Sequence, residues 1–190
     1  IQQVTTTNLR YNSLYKVELP EDGVLTVKTS HLDSHVGLSN REGQYFYLHE
    51  KGTLHAVGLQ KGTYYVRVYG SEQPRSFVIN FEAQPVEYES NDSTITANPL
   101  PIATLTHGYL LEPDDTDILK VKVEQDGEYR FTVNNLEREG YTDPYVYLEN
   151  EKGTIVLSHF MNVTKQVTLT KGTYYIGIKH GSTQNAYNVL

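Results

Sequence analysis

Apolar and polar positions alternate with period two in several short stretches of the chain. Tyr15, Val17 and Leu19 alternate with Lys16 and Glu18, and Leu119, Val121 and Val123 alternate with Lys120 and Lys122. Successive side chains of an extended strand point to opposite faces, so each stretch predicts a strand with one face buried and the other in water. After Gly62 the same alternation turns Tyr64, Val66 and Val68 to one face and Tyr65, Arg67 and Tyr69 to the other. Turn signals recur between these stretches, at Asp22-Gly23, Lys51-Gly52, Lys61-Gly62, Asp126-Gly127, Lys152-Gly153 and Lys171-Gly172. No helical period is sustained over a dozen positions. The pattern predicts an all-β chain of antiparallel, jelly-roll-like sandwiches.

The chain also repeats itself. LQKGTYYVRVYG (Leu59 to Gly70) matches LTKGTYYIGIKHG (Leu169 to Gly181), and LYKVELPEDG (Leu14 to Gly23) matches ILKVKVEQDG (Ile118 to Gly127). Between them, YLHEKGT (Tyr47 to Thr53) matches YLENEKGT (Tyr147 to Thr154) with one residue inserted. Three blocks in the same order, offset by about 100 to 110 residues, are more than a shared turn motif produces. The repeat predicts two tandem domains, residues 1–82 and 93–190. They are joined by an acidic linker over residues 83–92, where a proline and acidic groups interrupt the apolar pattern.

A length of 190 residues gives each domain enough chain to bury a core of its own. There is no Cys, so disulfides contribute nothing. Zero Cys with abundant Tyr fits an exported bacterial protein, although a cytosolic protein can also lack cysteine. The net charge of −7 and the absence of any Lys/Arg run argue against a nucleic-acid partner, which requires a clustered positive field. No stretch approaches the roughly 20 apolar residues that span a bilayer. The chain opens on Ile1 and enters a strand-like run at once, and reads as a fragment of something longer.

Two clusters carry candidate chemistry. In an extended segment Glu87, Glu89 and Asn91 project to one side, and Asp92 joins them if the chain bends. Asp115 and Asp117, spaced by two, project together from the entrance of a strand. A set made only of oxygen ligands suits Ca2+, whereas zinc calls for His or Cys. The competing reading is an acidic linker and turn that are simply solvated. The second cluster is the outward set Tyr65, Arg67 and Tyr69, with Tyr175 at the matching place in the second copy. Tyr and Arg are enriched at binding hot spots, but tyrosine is also an ordinary strand former, and both readings stand.

Catalytic constellations are not apparent. His49-Glu50 is followed by His55, the wrong spacing for a helical zinc motif, and His31 and His35 lie in a loop-like context. No GxSxG, phosphate-binding or dinucleotide fingerprint occurs. The expectation is a non-enzymatic chain.

The order of blocks resembles the bacterial pre-peptidase C-terminal domain family, relatives of the collagen-binding domains of clostridial collagenases. The resemblance rests on VEYESND (Val86 to Asp92), ANPL (Ala97 to Leu100), GYLLEPDDTDILKVKV (Gly108 to Val123), and the closing LTKGTYYIGI and AYNVL. The first copy matches from about Val4 but lacks the acidic segment. The resemblance implies β-sandwich accessory domains of a secreted bacterial peptidase. It implies structural calcium held by Glu87, Glu89, Asn91, Asp92, Asp115 and Asp117, with Asp114 beside them, and collagen binding through tyrosines near Tyr69. Tyr11 and Ser13 stand in the first copy where the second has Asp115 and Asp117, so calcium is expected in the second copy alone. The expected function is a binding module for an extracellular polymer such as collagen. The alternatives are a maturation or stabilising segment that contacts its own parent catalytic domain, and a carbohydrate-binding module.

Overall fold

The computed structural model describes residues 2–7, 12–30, 34–47, 54–70, 76–111, 115–136, 144–179 and 185–190. Among them there is no helix. The chain divides into two compact units, Ile1–Val86 and Glu87–Leu190. The acidic segment from Glu87 onward is therefore part of the second unit.

Among the described residues the first unit has eight strands: β1 (Gln2–Thr7), β2 (Asn12–Leu19), β3 (Gly23–Thr29), β4 (Ser34–Asn40), β5 (Tyr45–Tyr47), β6 (Leu54–Leu59), β7 (Gly62–Gly70) and β8 (Ser76–Ala83). They form two antiparallel sheets with the orders β1-β8-β3-β6 and β2-β7-β4-β5. Leu25, Val27, Val36, Leu38 and Val66 are buried between them. Tyr15 of β2 meets Phe77 of β8 edge to face at 4.8 Å, one sheet against the other.

The second unit holds β9 (Asn98–Pro99), β10 (Thr106–Leu110), β11 (Thr116–Val123), β12 (Gly127–Asn135), β13 (Tyr145–Asn150), β14 (Ile155–Ser158), β15 (Val163–Leu169), β16 (Gly172–Lys179) and β17 (Asn185–Val189). Its sheets run β10-β17-β12-β15 and β14-β13-β16-β11-β9. Strand for strand these are the orders of the first unit, with β9 added in parallel to β11 at one edge. The core joins both sheets, with Leu119, Leu148 and Ile176 of one packed against Leu110, Val133 and Tyr187 of the other. Full burial of each such aliphatic side chain stabilises the fold by about 1.5–3 kcal/mol.

Sequence periodicity and register agree. Leu19 pairs with Gly62 and Lys16 with Tyr65, as Val123 pairs with Gly172 and Lys120 with Tyr175. The turn chemistry is also duplicated. Asp22 Oδ1 accepts the Lys61 N–H and Asp126 Oδ1 accepts the Lys171 N–H, both at 2.7 Å. The Tyr64 hydroxyl donates to the Gln60 carbonyl and the Tyr174 hydroxyl to the Thr170 carbonyl. In each copy an Asp from one turn thus ties down the turn that opens the Thr-Tyr-Tyr strand, setting its register.

Candidate metal centre

The acidic segment is held by the second unit's own strands. The Glu87 N–H donates to the His107 carbonyl at 2.8 Å, and the Ile118 N–H donates to the Asn91 carbonyl at 3.0 Å. The Tyr88 N–H donates to Asn98 Oδ1 at 2.5 Å, beside the short parallel strand β9. Backbone groups satisfied in this way let a polar segment leave water. Glu87 is 2% exposed and Asn91 is fully buried.

Asp117 comes from the opening turn of β11 on the inward side and is also fully buried. Tyr187 of β17, in the facing sheet, donates its hydroxyl to Asp117 Oδ2 at 2.7 Å. That hydroxyl reaches Asp117 because Gly108 lies opposite Tyr187 in the β10–β17 register, where a Cβ would overlap the tyrosine ring. Asp115, two residues earlier, accepts the N–H groups of Leu111 at 2.6 Å and Thr116 at 2.8 Å through its carboxylate.

Glu87, Glu89 and Asp117 each bring a carboxylate oxygen within 4.8 Å of the others, a group that could hold a metal ion. Glu89, Asp92 and Asp115 form a second such group, nearer the surface, with Glu89 common to both. Glu87 Oε1 accepts the Tyr109 N–H at 2.8 Å and Oε2 accepts the Asn91 side-chain amide at 2.9 Å. The other ends of the buried pair are unsatisfied: Asn91 Oδ1 and Asp117 Oδ1 have no hydrogen-bond partner. A buried acceptor left unmade costs about 1–3 kcal/mol, more when charged, so two in one cluster mark a place that could hold a cation.

The electrostatics agree. Burial, followed by the charge of Glu89, pushes the Glu87 carboxyl well above the usual carboxylate range, against the opposing hydrogen bonds from Tyr109 and Asn91. Burial, then the charges of Glu87, Asp115 and Glu89, raises Asp117 well above its ordinary value, with the Tyr187 hydroxyl acting the other way. Two carboxylates about 5 Å apart repel by about 3 kcal/mol at an effective dielectric constant near 20. A divalent cation reverses the sign of that interaction. The donor set is all oxygen, which matches hard cations and offers nothing soft for zinc or copper.

The structure thus brings together Glu87, Glu89, Asn91 and Asp117, and joins Asp92 and Asp115 to them through Glu89. Asp114 lies outside the described residues. In the first unit Ser13 pairs with Val68 six positions from the Leu19–Gly62 pair, as Asp117 pairs with Ile178 six positions from Val123–Gly172. Serine therefore stands at the register position that aspartate takes in the second unit. Tyr187 and Gly108 escaped the sequence reading. The AYNVL block and a glycine inside a strand were their only traces, and neither points to a carboxylate in the opposite sheet.

On β7, Tyr64, Val66 and Val68 are buried, Tyr65 is half-buried and Arg67 is exposed. Tyr175 of β16 is half-buried, and the Tyr69 side chain lies outside the described residues. Of the histidines singled out, His35 lies on β4 and His55 on β6, whereas His31 and His49 fall outside the described residues.

No known family model matches the chain, and no curated protein sequence matches it. Among solved structures it is similar to the CUB1-EGF-CUB2 domains of human MASP-1/3, at 6% identity over 98% of each chain, with a TM-score of 0.29. It is similar to the YhaK protein of Escherichia coli at 10% identity over 98% of this chain and 82% of that one, with a TM-score of 0.31. A fucolectin from striped bass serum matches at 10% identity over 98% of this chain and 84% of that one, with a TM-score of 0.27. Scores this low carry nothing about what this chain does. The fold and the site define an all-β protein whose second unit encloses an acidic, oxygen-only cluster of metal-ligating geometry.

Proposed function

We propose that the chain is a non-catalytic binding module of a secreted bacterial peptidase, of the pre-peptidase C-terminal kind, with structural calcium in its second unit. The observation that carries the calcium reading is the pair of buried, unpartnered oxygens, Asn91 Oδ1 and Asp117 Oδ1, inside a cluster of carboxylates. The donors are Glu87, Glu89, Asn91 and Asp117 for the inner position, with Asp92 and Asp115 meeting Glu89 toward the surface. Calcium accepts six to eight oxygens in flexible geometry and suits such a set better than magnesium, which demands a strict octahedron. Its role is to neutralise carboxylates that repel one another and to fix the 87–92 segment against β10 and β11, not to activate a substrate.

The binding surface in this proposal is the outward side of β7, through Tyr65, Arg67 and Tyr69, with an extracellular polymer such as collagen as the partner. Support comes from the alternation along β7, which keeps Arg67 in solvent while Tyr64, Val66 and Val68 fill the core. In register, Arg67, itself exposed, lies between Leu14 of β2, which is 55% exposed, and Gly37 of β4, over which the Tyr45 ring lies. The test is co-sedimentation with insoluble fibrillar collagen, alongside Tyr69→Ala and Arg67→Ala variants and cellulose and chitin controls. The proposal expects saturable binding to collagen, weakened roughly tenfold in each variant. Absence of collagen binding in the intact chain rejects it and moves the role to contact with the parent catalytic domain.

A further inference from the structure

In the second unit the outer edge of β11 is covered. β9 lies parallel to it, with Asn98 and Pro99 opposite Leu119 and Lys120. The Ile118 N–H donates to the Asn91 carbonyl at 3.0 Å, and the Leu100 N–H donates to the Lys120 carbonyl at 2.8 Å. Leu100 is itself a core residue. Under this cover Ile118 is 4% exposed, Val121 is 2% exposed and Leu119 is fully buried.

β2 is the same strand in the first unit. Leu14, Tyr15, Lys16 and Val17 pair with Arg67, Val66, Tyr65 and Tyr64 of β7, as Ile118, Leu119, Lys120 and Val121 pair with Gly177, Ile176, Tyr175 and Tyr174 of β16. Among the described residues β2 ends its sheet and no strand lies beyond it. Its apolar side chains register the difference. Leu14 is 55% exposed, and Tyr15 and Val17, which point toward the core, are only half-buried. One ladder thus stands twice, once with an outer strand and once, among the described residues, without it.

An uncovered edge presents a row of backbone N–H and C=O groups, which sheets blunt with proline, an inward-pointing charge, a bulge or a very short strand. The second unit's edges are blunted in these ways. β9 is two residues long and contains Pro99, and β14 is four residues long with a shift of register against β13. β15 turns Lys165 inward, opposite buried Phe131. β2 uses none of these devices. Its eight residues keep unbroken register with β7, Tyr15, Val17 and Leu19 point inward, and Lys16 and Glu18 pair with each other on the outer face. The backbone groups that point to its edge are those of Leu14 and Lys16, the counterparts of Ile118 and Lys120.

From this comparison we infer that β2 accepts an extended segment of another polypeptide, added parallel to it as β9 is added to β11. A leucine-sized side chain of that segment enters beside Tyr15 and Val17, as Leu100 enters the core of the second unit. Backbone hydrogen bonds supply the affinity of such strand addition, and the apolar slot selects the side chain. Ser13 stands where the second unit has Asp117, so the segment is held without a carboxylate cluster. The site needs neither the metal nor the tyrosines of β7, so its failure is separable from that of the calcium and collagen proposals.

The test is an NMR titration of the whole chain with a blocked synthetic peptide copying residues 90–101, beside the same peptide carrying Leu100→Asp. The expected result is saturable binding of the first peptide, with shifts centred on β2. Binding falls roughly tenfold with Leu14→Asp or Lys16→Pro in the chain, and with Leu100→Asp in the peptide. Lys16→Pro removes an edge N–H at an exposed position where a sheet tolerates proline, and Lys16→Ala should bind as the unaltered chain does. Tyr69→Ala should leave peptide binding unchanged, although it is the variant expected to weaken binding to collagen. No saturable binding, equal binding of the two peptides, or shifts centred on β9 and β11 that the first-unit variants leave intact overturns the inference. Self-association of the chain through β2 in the absence of peptide overturns it as well, since the occupant is then a second copy.

Discussion

Asp117 shows how much one residue can decide. It is fully buried, accepts the Tyr187 hydroxyl through Oδ2, and leaves Oδ1 without a hydrogen-bond partner. Asp117→Asn keeps an acceptor for Tyr187 and removes one negative charge from the cluster. Calcium affinity, measured by calorimetric titration, should fall roughly tenfold or more, while the metal-free second unit should melt no lower than the unaltered protein. Unchanged affinity would show that Asp117 is not a ligand. The cluster also sets a pH dependence. Glu87 and Asp117 have raised pKa values in the folded chain, so above about pH 4 the folded state holds protons that the unfolded state has released. Their contribution to stability is therefore present at low pH and lost as pH rises toward the folded values. In chelator the second unit should melt higher at pH 5 than at pH 7, and saturating calcium should flatten or reverse that trend, because the metal binds the deprotonated form. A chelator-treated protein more stable at pH 7 than at pH 5 would contradict the assignment.

Among the elements, the strands were the most legible part of the sequence. Period-two alternation marked β2, β7, β11 and β16, because each presents one face to a core and the other to solvent. The two-residue strand β9 was not legible, since two residues carry no period. The 87–92 segment read as a linker because its buried residues are polar. Glu87 and Asn91 are inside on account of hydrogen bonds and shared charge, which hydrophobic patterning cannot register. The acidic residues that cluster there were nonetheless legible, because oxygen-rich side chains at close spacing are visible as chemistry even where burial is not. The close approach of the Tyr147 ring to Gly177 was missed for another reason. Tyr147 and Gly177 lie far apart in sequence and become neighbours only through the β13–β16 pairing. Between β10 and β17 the same kind of relation gives a prediction. Gly108→Ala should push the Tyr187 ring off its seat and destabilise the second unit by about 1–3 kcal/mol in a chemical-denaturation series. An unchanged midpoint would mean that the ring has room to move.

Across the whole molecule, one topology is used twice with different chemistry laid over it. The first unit keeps the strand order and the duplicated turn locks but has Ser13 at the register position of Asp117. The second adds β9, the acidic segment and the buried carboxylates. A metal that binds only the folded second unit stabilises it by mass action, by about 2.7 kcal/mol at a free concentration one hundred times Kd. For a unit of this size that corresponds to a rise in Tm on the order of 10 °C. The most direct test of the account is differential scanning calorimetry of the whole chain in chelator and in millimolar calcium, with magnesium as the control. The account predicts that calcium raises the transition of the second unit by that order while the first unit's transition stays in place and magnesium has far less effect. Coincident melting with and without calcium, or an equal rise with magnesium, would contradict it.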